Sequence, residues 1–186
     1  LAGTVTAHNC VPYLGTMQAF SGGAYAAYLK NTIDDAAGNN DGVLNPNEND
    51  GVLLWLKNYG TDTAKAVSAK LRTGDAYISF TDSSESYGDI APGDSIGILG
   101  YLLKVSTSAP DSHTVSFTVE CRDSRDSVWQ SGFSRVIRAP VLVYSSHTVM
   151  DPAPGGNNNN IMEPGESDSI RVTLKNTGGQ ISTGTT

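Results

Sequence analysis

Apolar and polar residues alternate along most of this chain. In His113–Cys121 the apolar side chains Val115, Phe117 and Val119 recur every second residue, the period of a half-buried strand. Comparable runs lie at Gly51–Asn58, Ala64–Thr73, Ala76–Phe80, Asp94–Ser106, Trp129–Arg138 and Val141–Val149. Turn chemistry separates them: Tyr59-Gly60, Gly74-Asp75, Ala91-Pro92-Gly93-Asp94 and Ala109-Pro110-Asp111. Upstream, Tyr13–Leu29 is small, aromatic and uncharged, and predicts one or two strands around the Ser21-Gly22-Gly23 turn. No segment sustains a helical period. The pattern predicts an all-β protein, with strands at the spacing of an antiparallel sandwich.

Two strands depart from simple alternation. In Val52–Leu56, the residues Val52, Leu54 and Leu56 form an inward row, which leaves Leu53 and Trp55 facing out. In Ile96–Val105, Ile96, Ile98 and Leu102 fall on one face and Leu99, Tyr101, Leu103 and Val105 on the other. A sheet covered on one side only should alternate. The expectation is therefore an apolar outer patch of about a few hundred Å², a size that marks an interface. Its residues would be Leu53, Trp55, Leu99, Tyr101 and Leu103, covered by another chain or by residues 1–30 of this one.

The strongest pattern is an internal repeat. Gly38–Glu48 (GNNDGVLNPNE) matches Gly156–Glu166 (GNNNNIMEPGE), 118 positions on, and Leu56–Gly60 matches Leu174–Gly178 at the same offset. A period of that length is a whole immunoglobulin-sized sandwich. Three segments follow: a strand-forming arm over 1–30, a complete sandwich over 31–150, and the beginning of a second module over 151–186. The segments Asp34–Glu48, Leu54–Gly60 (LWLKNYG), Tyr87–Ser95 (YGDIAPGDS) and Ser108–Glu120 (SAPDSHTVSFTVE), in this order, resemble the bacterial Ig-like β-sandwich repeats of large secreted and surface proteins. Such repeats often follow the catalytic domain of gingipain-like peptidases. The resemblance covers about residues 33–150 and restarts at 151. It implies an extracellular or cell-surface location and says little about activity, because these modules accompany many.

Composition narrows the partners. Twelve Lys and Arg stand against nineteen Asp and Glu, a formal net charge of −7, with 20 glycines among 186 residues. An acidic chain without a basic cluster is a poor ligand for nucleic acid. Its longest apolar runs are far too short for a helical membrane span. The two cysteines, Cys10 and Cys121, are candidates for a single disulfide, which would suit an oxidising compartment.

Candidate chemistry is sparse. The loop Asp34–Glu48 carries Asp and Asn at alternating positions, the oxygen-rich pattern that hard cations favour. Asn39, Asp41, Gly42 and Glu48 fall at positions 3, 5, 6 and 12 of an EF-hand loop, but position 1 is Ala37 and no helices flank it. A looser Ca²⁺ site built from Asp34, Asp35, Asn39, Asp41 and Glu48 is the expectation, against a metal-free network of Asx turns. Asp151, Asn159, Glu163 and Glu166 form a less charged second version. Gly93–Gly97 matches G-x-S-x-G, but Pro92 precedes it and a strand follows, so it reads as a turn and not as a nucleophile elbow. His8, His113 and His147 lack ligand spacing, and no catalytic constellation converges. The expected function is non-catalytic: an extracellular structural protein that assembles head-to-tail with copies of itself through strand complementation. The alternative is an accessory spacer or adhesion module of a secreted peptidase or glycosidase.

Overall fold

The computed structural model describes residues 2–5, 13–16 and 22–182. These residues form twelve strands: β1 (Ala2–Val5), β2 (Tyr13–Thr16), β3 (Ala26–Asp34), β4 (Asn49–Asn58), β5 (Ala64–Arg72), β6 (Ile78–Asp82), β7 (Ser84–Ile90), β8 (Ser95–Val105), β9 (Thr114–Arg122), β10 (Val128–Val136), β11 (Leu142–Met150) and β12 (Ser169–Asn176). There is no helix among the described residues. Two four-stranded antiparallel sheets, in the orders β3-β4-β8-β6 and β10-β9-β5-β7, face each other as an Ig-like sandwich. Two separate hairpins, β1-β2 and β11-β12, complete the strand inventory. The opening strand of the sandwich, β3, spans the boundary expected at residue 30.

The inward rows meet as the period-2 pattern requires. Val52, Leu54, Leu56, Tyr101, Leu103 and Val105 of one sheet face Val67, Leu71, Ile90, Val115, Val119 and Cys121 of the other, all at most 1% exposed. The two buried tyrosines tie the layers together. Tyr87 Oη donates to the Leu54 carbonyl at 3.0 Å, and Tyr101 Oη to that of Ala69 at 3.2 Å. Leu44, from the loop between β3 and β4, plugs one end of the core beside Ile137. Cys121 is buried and has no disulfide partner among the described residues, and its thiol is pushed up to about 12 by burial and then by the Glu120 charge. Its expected partner Cys10 lies outside the described residues.

The expected outer patch needs correction. Tyr101 and Leu103 are core residues, at 0% and 1% exposure. The β4–β8 register runs Val52↔Tyr101 and then Leu53↔Leu99, so Gly100 is an extra residue in a bulge. One inserted residue moves every later side chain to the opposite face. Ile96 and Ile98 before the bulge, and Tyr101, Leu103 and Val105 after it, all point inward. The outward apolar residues are Leu53, Trp55, Leu99 and Leu102. Trp55 is largely covered by its own chain: its indole lies over Gly97, where a Cβ would sit 2.4 Å from Nε1, and the Lys30 ammonium stands 4.6 Å from the ring centroid.

The repeat is structural down to single hydrogen bonds. β3–β4 carries a bulge between Tyr28 and Lys30, and β11–β12 carries one between Tyr144 and Ser146. Asn58 Oδ1 accepts the N–H groups of Tyr25 and Gly60, and Asn176 Oδ1 accepts those of Val141 and Gly178. A Cβ on Gly60 would lie 2.1 Å from the Gly23 oxygen, and one on Gly178 would lie 2.2 Å from that of Ala139. The Asn-x-Gly signature therefore records one amide that caps the hairpin and one backbone approach that admits no side chain.

Candidate functional site

The loop joining β3 to β4 folds over one end of the sandwich, and its first carboxylate organises it. Asp35, 2% exposed, accepts the N–H of Asp41 at 2.8 Å and that of Gly42 at 3.1 Å. Smaller Asx turns follow. Asn39 Oδ1 accepts Asp41 N–H at 2.9 Å, and Asp41 Oδ1 accepts Val43 N–H at 2.9 Å. Glu48 Oε1 accepts Asn39 N–H at 3.2 Å, closing the loop across its base. Asn39 Nδ2 donates to Asn45 Oδ1 at 2.8 Å. Asn45 Nδ2 in turn donates to the Arg138 carbonyl at 2.9 Å, which pins the loop to the chain beyond β10. These bonds account for the short polar residues at alternating positions.

Not every acidic group is accounted for. Asp50 stands on the inward row of β4, opposite Leu103, where the loop closes. It is 1% exposed, and neither carboxylate oxygen has a hydrogen-bond partner. Glu48 Oε2 is likewise buried and unpartnered. Burial, then the charges of Glu48, Asp35 and Asp41, push the Asp50 carboxyl up to about 7. Burial also raises Glu48, against the Asn39 N–H bond that lowers it, with Asp35 and Asp41 adding to the rise. The loop thus gathers four carboxylates, and none of them is in an ion pair among the described residues. The acidic side of the loop opens onto a cleft lined by Asn39, Asp41, Asn45, Glu48, Pro140 and Gln180.

Sequence reasoning singled out Asp34, Asp35, Asn39, Asp41 and Glu48. The structure gathers the last four. Asp34 is exposed and accepts Ala36 N–H at 3.3 Å within its own turn. Asp50 was missed: in the sequence it is one more polar residue before an apolar strand, and the two-residue spacing Glu48-x-Asp50 was its only trace. The second loop reproduces the scheme. Asp151, 1% exposed, accepts the N–H groups of Asn159 and Asn160, and Glu166 Oε2 and Asp168 Oδ1 are buried without partners. It is two residues longer between the anchoring Asp and the turn, and Asn159 replaces Asp41. Glu163 Oε2 is held there by the Asn157 and Asn159 amides.

The other candidates are structural. Ser95 opens β8 behind the Ala91–Asp94 turn, so Gly93–Gly97 is no nucleophile elbow. His113 pairs with Asp75 at 2.6 Å and lies edge-on to Tyr77. His147 bonds Tyr144 on the exposed hairpin, and His8 lies outside the described residues. Among the described residues no helix is long and apolar enough to cross a membrane.

No family model and no curated protein matches the chain. Among solved structures it is similar to native alpha-2-macroglobulin from Escherichia coli, in a crystal structure running from domain MG7 to the C-terminus. The identity is 10% and the TM-score 0.43, over 69% of this chain and 19% of that one, so this protein spans a small part of that structure's length.

Proposed function

We propose that this protein is a non-catalytic, extracellular structural building block, joined to neighbouring copies where strands complete the β11–β12 hairpin. One observation carries the reading. Val52, Leu54 and Leu56, the inward row of β4, are 1%, 0% and 0% exposed, whereas their repeat counterparts Ile170, Val172 and Leu174 are 52%, 54% and 52% exposed. On β4 the row is covered by the opposing sheet and the free edge by β8. β12 has the same apolar row and an edge with no strand on it among the described residues. A lone hairpin is marginal in water, and an open edge beside an apolar face is a template for strand addition. Strands of a neighbouring copy would take on β12 the places that β8 and the β5–β9 sheet take on β4. Head-to-tail joining of this kind does not close on itself and yields filaments.

The duplication itself favours a second reading, in which the chain is a stretch of tandem sandwiches acting as a spacer in a secreted protein. Light scattering over a concentration series, with negative-stain electron microscopy, separates the two. Assembly predicts mass rising with concentration and filaments that Val172→Glu dissolves. A monomer at every concentration, with the hairpin amides exchanging freely, overturns self-assembly and leaves the spacer.

A further inference from the structure

We infer that the loop between β3 and β4 is a binding site for a divalent cation of the calcium class, held by the carboxylates of Asp35, Asp41, Glu48 and Asp50. Four acidic side chains within sixteen residues would repel one another, and acidity alone is no site. The decisive observation is Asp50, which is 1% exposed with both oxygens unpartnered, beside an equally orphaned Glu48 Oε2. A charged carboxylate buried without donors or a counter-charge is strongly disfavoured, so native structures pair such a group, give it a metal or keep it protonated, and above neutral pH Asp50 needs one of the first two. Among the described residues no protein cation serves here. Arg138 is turned to Ser112 at 3.1 Å, and Lys104, on the strand beside β4, is exposed on the outer face.

The donor set chooses the ion. It holds carboxylate and amide oxygens, with Asn39 and Asn45 in the same loop, and no Cys or His. Zinc favours nitrogen and sulfur, and magnesium demands a tight octahedron, whereas calcium accepts a loose shell of about six to eight oxygens. Among the described residues no three acidic, His or Cys side chains already converge on one point as ligands. Binding should therefore tighten the loop. The second loop keeps the orphaned pair at the repeat offset, Glu166 and Asp168, but they are only half-buried and its turn has Asn159 for Asp41. It is the weaker counterpart and is not needed for the proposal.

The test is calorimetric titration of chelator-stripped protein with calcium chloride, alongside thermal melts with and without calcium. The expected result is saturable binding and a rise of several degrees in Tm, since a ligand that binds only the folded state stabilises it. Asp50→Asn should weaken binding by at least about tenfold. Asp34→Asn, outside the cluster, should bind as the parent does. If Asp50→Asn fails to fold, Glu48→Gln must show the same loss. No heat and no shift in Tm with calcium, an equal shift from sodium chloride at matched ionic strength, or parental affinity in both Asp50→Asn and Glu48→Gln would each overturn the proposal. The measurement is indifferent to whether copies assemble.

Discussion

Asp50 lets a single substitution separate stability from ligand binding. In the chelated protein its carboxyl is raised from 3.8 to about 7. The folded state therefore holds a proton that the unfolded state has released, and stability falls as pH rises across that window. A rise of this size corresponds to about 4 kcal/mol once the group is ionised in both states. Asp50→Asn removes the charge but leaves a buried amide short of partners, at a cost of about 1–3 kcal/mol. Without calcium, the variant should therefore be the more stable protein by about 1–3 kcal/mol near pH 8. The order should disappear or reverse near pH 4, where Asp50 is protonated. Calcium should reverse it at pH 8, by stabilising only the parent. Urea unfolding in chelator at both pH values, then with calcium, reads all three. The difference between the two proteins isolates Asp50, because carboxyls such as Asp75 and Glu120 are common to both. A variant less stable than the parent at every pH in chelator, or a parent advantage that grows with pH, would refute the reasoning.

Other consequences are simpler to check. Leu54→Ala, at a fully buried position of a central strand, should cost about 2–5 kcal/mol in urea unfolding. Its repeat counterpart Val172 is 54% exposed, and Val172→Ala should change the sandwich transition by less than about 0.5 kcal/mol. Asp75 is raised by burial but lowered on balance by its His113 and Tyr77 hydrogen bonds. A lowered carboxyl stabilises above its ordinary range and loses that contribution as pH falls through the folded value. Asp75→Asn should therefore flatten the acid limb of the stability profile below about pH 4. Gly97→Ala would place a Cβ 2.4 Å from Trp55 Nε1. It should displace the indole, shift tryptophan emission and cost about 1–3 kcal/mol in thermal or urea unfolding.

Much of the sandwich was legible because most of its strands are covered on one side, so burial writes a two-residue period into the sequence. That period located β4, β5, β8, β9 and β10 closely, and the 118-residue offset located β12's match to β4. β7 was missed because only Tyr87 and Ile90 of its seven residues are buried, which leaves no alternation to read. The outward rank given to Tyr101 and Leu103 failed for a different reason. Parity arguments assume an unbroken pleat, and Gly100 breaks it. Within the candidate site, Asp35, Asn39, Asp41 and Glu48 were visible as a polar loop of alternating donors. Asp34 looked equivalent to Asp35, because adjacent residues in a loop carry no mark of which one turns inward.

The sequence by itself determined an all-β chain, a duplicated polar loop with the strand that follows it, and the acidity of that loop, since each depends on local spacing. Which carboxylates lost their water was decided only in three dimensions. Asp50 is buried because the loop, anchored by Leu44 in the core and Asn45 on the Arg138 carbonyl, closes over the end of β4. The same holds for the apolar rows. Val52, Leu54 and Leu56 resemble Ile170, Val172 and Leu174 as residues, and what buries the first row is the opposing sheet, which has no counterpart over the second among the described residues.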